Sequence, residues 1–311
     1  MAIKQAQELD LQDKKISMLI AGAPGIGKTT LALSSPSPLL IDADMGLARV
    51  AMAHRKSYIQ PATYDELLTD LDPGNPLLRD YETIVMDTGG QIFRLIASWV
   101  IAQNTKNGQA DGTLSLKGYG AAGREFERMV KHCRDILRKN IIVVFHAKEE
   151  KEDDHTRLRL LVEGQTKDNI WQPMDLGGFI EMSGNKRVIG FSNCERYFAK
   201  GTYGITGKVS VPDLSSGVKN DTLTMLFGKV CENIAAEAEQ YAELRSGYDD
   251  VIQSATEIIK AIDTPESANS AVGKMKRIKH VLTSEKEIRA MFAAKIKELG
   301  YKQSKGKYVG A

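Results

Sequence analysis

The chain has 311 residues and a net charge of +2, with 42% hydrophobic and 26% charged residues, an ordinary balance for a soluble globular protein with room for one large α/β domain plus an appendage or for two modest domains. No apolar run approaches bilayer-spanning length, and the polar start MAIKQAQELDLQDKK holds no signal core. Cys133, Cys194 and Cys231 are scattered without metal or redox spacing, so the expectation is a cytoplasmic chain with reduced thiols and no membrane partner.

Residues 1–13 read as a polar lead-in. An apolar run at 16–21 predicts a strand, and 28–33 predict the opening of a helix. Between them, Gly22-Ala23-Pro24-Gly25-Ile26-Gly27-Lys28-Thr29 fits G-x-x-x-x-G-K-[ST], the phosphate-cradling loop. Glycines let the backbone curl around phosphate oxygens with its N–H groups inward, where a side chain would collide. The helix start adds its positive dipole end. Lys28 supplies a mobile charge for the β- and γ-phosphates and Thr29 a hydroxyl for Mg²⁺, while Thr30 is counted with the nucleotide-contacting positions.

Breakers at 34–38 end that helix, and 38–41 run as an apolar strand into Asp42-Ala43-Asp44. Spacing puts Leu47, Val50 and Ala51 on one face of a helix over 45–54, and 64–71 predict a short helix capped by Thr63. Residues 81–88, YETIVMDT, read as an apolar strand ending in Asp87, 59 positions after Lys28. A carboxylate there can hold the water shell of Mg²⁺ beside Thr29. Next come an apolar-faced helix at 91–103, a mobile Gly-rich surface loop at 104–112, an amphipathic helix at 124–138, and a buried strand at 141–145 ending in His146. Strand and helix alternate four times, so the expected class is α/β, a mostly parallel sheet covered by helices on both faces.

Beyond Lys148 a charged run alternates at Leu158, Leu160 and Val162, predicting a hairpin from the sheet edge with Glu152, Asp153 and Asp154 near its tip. Residues 171–182 read as a helix or turn around Gly177 and Gly178, with short strands at 186–191, 196–200 and 209–211. Four helices are expected at 223–240, 241–262, 265–282 and 284–300, followed by a frayed basic tail. The resulting division is a core over 14–215 and a helical C-terminal region over 216–311. Residues 221–263 carry nine acidic against three basic side chains, whereas 264–311 carry eleven Lys/Arg against four Glu. For the basic stripe Lys274, Lys276, Arg277 and Lys279 two readings stay open: a phosphate-backbone contact, or a solvated face paired with the acidic segment. Phe292, Tyr301 and Tyr308 are the aromatic candidates for stacking on bases.

No guanine-reading N-K-x-D is present. A whole strand with an acidic end separates the phosphate loop from Asp87, which favours NTPases that activate water with a carboxylate over small-molecule kinases. Gly22 to Thr29, LLIDAD at 39–44, IVMD at 84–87 and the strand ending at His146 together resemble RecA-like recombinase ATPases. They are most similar to the small phage-encoded AAA-type nucleotide-binding proteins linked to single-strand annealing. Tyr119-Gly120, VVFHAKEE and RYFAKGTYGI share the likeness, which spans about residues 14–212.

The resemblance implies a RecA-like P-loop ATPase core with ATP and Mg²⁺ as ligands. It also implies single-stranded DNA as partner, a homo-oligomer (ring or filament), a single-strand-binding or helicase partner, and a role in recombination or replication. It gives Asp44 the place of the family's catalytic glutamate, with Asp42 as the alternative bearer. Because Asp is shorter, either the water sits differently or turnover is slow. His146 falls where the family senses the γ-phosphate; a satisfied strand-end histidine is the other reading. Lys200 falls where filaments offer a cation to the neighbour's nucleotide; a solvated loop lysine is the alternative. Loops 104–117 and 201–208 hold glycines and lysines as the family's DNA-binding loops do. Two competing functions remain: a helicase loader or accessory ATPase acting on a protein, and a nucleotide-gated interaction module without turnover.

Overall fold

Short runs of Ile, Val, Leu and Met with both faces apolar can only be satisfied inside a layered sheet, and the strand order that results builds the site. The computed structural model describes residues 14–152, 155–161, 170–214, 217–304 and 306–310. In chain order they form β1 (Ser17–Gly22), α1 (Lys28–Ala32), β2 (Pro38–Asp42), β3 (Tyr58–Ile59), α2 (Tyr64–Asp70), β4 (Thr83–Asp87), α3 (Gly89–Gln103) and α4 (Leu116–Lys131). Then follow β5 (Asn140–Glu152), β6 (His155–Leu160), β7 (Leu176–Ser183), β8 (Lys186–Gly190) and β9 (Lys208–Val211).

The sheet runs β3-β2-β4-β5-β1-β7-β8-β9, with β6 paired to β5. Pairing is parallel from β3 through β7 and antiparallel for β6, β8 and β9. This is the mostly parallel sheet with flanking helices that the alternation of strand and helix predicts. Leu19, Ile41, Met86, Val143 and Phe145 pack with Phe93, Ile96, Phe126 and Met129 of α3 and α4 on one face. Their alternating neighbours Ile20, Leu40, Val85 and Val144 are equally buried on the other. The register sets Asp42 beside Asp87 and Gly22 beside both His146 and Ile180, so one row of strand ends carries the polar residues.

Several local expectations need correction. Residues 45–54 form two separate 3-10 turns, Leu47–Arg49 and Met52–His54, instead of a helix. Side chains take the backbone groups a helix would use. Asp42 accepts from Gly46 and Leu47 N–H, and the Arg55 guanidinium donates to the Val50 and Ala48 carbonyls. The hairpin grows from β5, a central strand that runs on past His146, so it does not leave a sheet edge; Asp153 and Asp154, its expected tip, lie outside the described residues. Residues 176–183 are a strand, because a Cβ on Gly177 or Gly178 would meet Trp171 or Ile189: the glycines admit close packing and mark no turn. Residues 196–200 join the sheet only through isolated bridges at Tyr197 and Lys200. The expected loop at 104–112 contains a 3-10 turn with Asn107 buried, its side chain donating to Val100 O at 2.8 Å. Just beyond it Ser115 caps α4, which therefore begins eight residues before the expected 124.

Past residue 221 one helix, α5 (Thr222–Lys260), replaces the expected pair, since no proline interrupts it. It is followed by α6 (Pro265–Met275), α7 (Ser284–Glu298), β10 (Lys302–Ser304) and β11 (Lys307–Val309). The chain divides into two compact units, Met1–Asn233 and Ile234–Ala311, so the boundary falls within α5. In the first unit Ser34 receives the Leu223 N–H on its hydroxyl and the Thr224 N–H on its carbonyl. The second unit has its own core of Ala255, Ile259, Ile262, Ile288, Phe292 and Ile296. Its tail is held where fraying was expected: Asn269 exchanges two hydrogen bonds with the Tyr308 backbone, and Tyr308 meets Phe292 edge-on at 5.6 Å. Among the described residues no helix is long and apolar enough to cross a membrane.

Candidate nucleotide site

The phosphate loop leaves β1 at Gly22 and enters α1 at Lys28, with Gly25 and Gly27 at positive φ of 75° and 94°. Only glycine adopts such angles without strain, and they turn successive N–H groups toward one point. Gly22 itself has no room for a Cβ against Ile180. Lys28 is only 5% exposed, and its ammonium donates to the Ala23 carbonyl at 2.8 Å, folded back over the loop. Burial lowers its pKa to about 8, while nearby Asp87 and Asp44 work to keep it charged.

Asp87 ends β4 and accepts from the Thr29 hydroxyl at 2.5 Å. It is 5% exposed, and burial pushes its pKa up to about 6; Thr29 and Lys28 oppose the rise, Asp44 and Asp42 add to it. A hydroxyl and a carboxylate oxygen form a hard donor set that suits Mg²⁺, which is commonly held by one or two carboxylates together with substrate phosphates. Among the described residues no cluster of three His, Cys, Asp or Glu is present.

The two candidate water-activating carboxylates differ in their surroundings. Asp42, 1% exposed, accepts from Gly46 N–H at 2.7 Å, Leu47 N–H at 3.2 Å and the Gln60 amide at 2.9 Å. It is a turn anchor, both of its oxygens accepting hydrogen bonds. Asp44 is partly exposed, faces the cavity, and carries one ion pair, to Arg49 at 2.7 Å. His146 lies beside Gly22 at the same row of strand ends, and its buried Nδ1 has no hydrogen-bond partner. Burial, with Lys28 and Arg49, lowers its pKa against the pull of Asp44, so the ring is neutral at pH 7. Lys28, Thr29, Thr30, Asp44, Asp87 and His146 all line one cavity of about 840 Å³.

Lys200 is not brought there. It pairs with Gly177, near the amino end of β7, and its ammonium donates to the Met174 carbonyl. Arg187, absent from the sequence reading, does line the cavity. Nothing in its local pattern, a lysine-arginine pair after a Gly-Asn turn, distinguishes it from a solvated hairpin.

Of the candidate DNA-contacting groups, Lys274, Lys276, Arg277 and Lys279 are exposed and form no ion pair among the described residues, so pairing with the acidic segment is not seen. Phe292 is a core residue and Tyr301 packs against that core, its hydroxyl donating to Asp263 O at 2.6 Å. Lys208 of the second candidate loop pairs with Glu181 at 3.0 Å.

The pKa values set a testable pH window. Asp87 gains a proton as pH falls through about 6, and a bound cation must then compete with it; Lys28 loses its charge as pH rises through about 8. We expect the gain in ATP affinity produced by magnesium to shrink below pH 6, by up to about tenfold per unit, and metal-free ATP affinity to fall above pH 8. Titration calorimetry from pH 5 to 9, with and without magnesium, checks both limbs. A flat profile would show that neither group meets the ligand.

The sequence matches the family described as AAA domain over residues 14–203. Among solved structures the chain is similar to one described as an ATPase domain, at 15% identity over 63% of this chain and 81% of that one, with a TM-score of 0.38. It is also similar to one described as the RadB recombinase, at 14% identity over 56% and 79% of the two chains, with a TM-score of 0.35. No curated protein matches the chain.

Proposed function

The chain belongs to the AAA domain family, and on that premise we propose that it binds and hydrolyses ATP with Mg²⁺ and acts on single-stranded DNA in phage-type recombination or replication, as a ring or filament of identical subunits. One observation carries the reading: Lys28 and Thr29 after β1, Asp44 after β2, Asp87 at the end of β4 and His146 within β5 converge on a single cavity at the carboxyl side of the parallel sheet. In it the loop N–H groups and Lys28 hold the phosphates, Asp44 takes the proton of the attacking water, and neutral His146 offers Nδ1 to a phosphate oxygen. Three donors already bond to the oxygens of Asp42, which favours Asp44 for that role. Thr29 and Asp87 would hold a Mg²⁺ ion, which would supply positive charge to the phosphates.

A second cavity of about 710 Å³ supports the DNA part of the proposal. It shares Asp44, Thr88 and His146 with the first and extends to Arg94, Gly112, Thr113 and Lys148, so it includes part of the candidate loop 104–117. A strand lying there would press on the same side chains that face the phosphates. The exposed stripe at 274–279 offers a further phosphate-backbone contact.

One finding favours a second reading, an accessory ATPase or helicase loader with a protein effector: Phe292 is buried in the helical core, which thins the supply of aromatics for stacking on bases. ATPase rates with and without oligo-dT, alongside particle size with a non-hydrolysable analogue, separate the two. Slow turnover that rises several-fold with DNA, on assembled particles, supports the proposal. A rate indifferent to DNA but raised by a helicase moves the effector role to a protein.

A further inference from the structure

Among the described residues only two buried side-chain nitrogens lack a hydrogen-bond partner, His146 Nδ1 and Arg187 Nε, and both belong to residues lining the cavity of the phosphate loop. Buried polar atoms are almost always satisfied, and two exceptions in one cavity point to a ligand that completes them. Arg187 stands on β8, opposite Met182 of β7 and Val211 of β9. Among the described residues its Nη1 reaches only Pro212 O, at a long 3.4 Å.

The other cations of that cavity are committed. Arg49 holds Asp44, Arg55 holds two carbonyls, and Lys28 rests on Ala23 O. Leu214, which lines the same cavity, packs so closely on Gly27 that a Cβ there would strike it, so the segment after β9 reaches the phosphate loop. A guanidinium with an unused buried N–H, beside a loop built for phosphate, matches an oxyanion by both charge and shape.

Resting on the nucleotide reading above, we propose that Arg187 is a phosphate ligand supplied in cis. Its guanidinium donates to an oxygen of the nucleotide's phosphate chain from β8, while the loop and Lys28 grip the chain from β1 and α1. One subunit thus encloses the anion from two parts of the sheet, and the antiparallel edge β8–β9 is fastened when the nucleotide arrives.

The test uses the full chain with ATP and ADP as probes, measured by calorimetry for the wild type, Arg187→Gln, Arg187→Lys and Lys28→Ala. Arg187→Gln is expected to weaken ATP binding about tenfold to a hundredfold, the loss of one charge-assisted hydrogen bond. Arg187→Lys is expected to recover part of it, since the charge returns without the fork. Hydrogen exchange adds a readout that packing alone does not move: ATP protects the amides of β8 in the wild type and not in Arg187→Gln. Wild-type ATP affinity in Arg187→Gln, with binding lost in Lys28→Ala, overturns the proposal and leaves the nucleotide site intact. So does a ligand-free melting temperature that falls in Arg187→Gln with no recovery of binding in Arg187→Lys, which marks a packing role. Failure of the wild type to bind ATP at all sinks the nucleotide reading itself.

Discussion

Lys28→Ala is expected to abolish ATP turnover and to erase the rise in melting temperature that ATP confers. The ammonium is buried between the loop and two carboxylates, and burial already costs it enough to bring its pKa to about 8. A triphosphate repays that cost with charge-assisted hydrogen bonds, and alanine removes them while leaving Asp87 and Asp44 facing the phosphates unopposed. Affinity should fall at least about a hundredfold, corresponding to roughly 3 kcal/mol. Ligand at a hundred times Kd stabilises the wild type by about 2.7 kcal/mol, and that gain should vanish in the variant. The ligand-free variant should melt no earlier than the wild type, because a desolvated cation has been taken out. Differential scanning fluorimetry over an ATP series reads both effects. A variant that ATP stabilises as well as it does the wild type would show that the loop does not grip phosphate.

Asp44→Asn carries the second large effect, on rate with affinity preserved. Asp44 has one exposed ion pair and faces the cavity, so the amide can occupy its place without disturbing the fold. An amide accepts no proton, and general-base contributions of this kind are worth about a hundredfold to ten-thousandfold in rate. Single-turnover hydrolysis should fall by that order, while ATP affinity stays within about threefold. The companion change Asp42→Asn separates the roles. It replaces an acceptor of three hydrogen bonds at a 1% exposed position, so the penalty of about 1–3 kcal/mol appears in stability first. Ordinary turnover in Asp44→Asn would move the base elsewhere.

These two variants also mark how far the chain could be read without coordinates. Lys28 and Thr29 were legible because eight consecutive residues encode both the curl of the backbone and the groups it presents. Asp87 was legible because an apolar strand ending in a carboxylate is again a local pattern. The difference between Asp42 and Asp44 was not, since it rests on Gly46, Leu47 and Gln60 closing on one carboxylate while the other carries a single ion pair to Arg49. The surroundings of Lys200 were illegible for the same reason: its local pattern says nothing of the Met174 carbonyl that receives its ammonium.

Periodicity behaved alike. Residues 64–70 and 89–103 are helices as their apolar spacing requires, because an amphipathic face has one way to be buried. Residues 45–54 carry similar spacing, yet Asp42 and Arg55 claim their backbone groups, and 176–183 carry two glycines, yet Trp171 and Ile189 need the space a Cβ would fill.

By itself, then, the sequence determined the α/β class, the phosphate loop and the alternation of strand with helix, all of them consequences of residues within a turn or two of each other. Only the tertiary structure decided how differently Asp42 and Asp44 are bonded, that His146 and Arg187 reach one cavity, and that Phe292 belongs to a core. Each of those is a matter of which distant groups satisfy which, across strands such as β1 and β5 whose partners lie more than a hundred residues apart in the chain, and no local pattern of residue types carries that information.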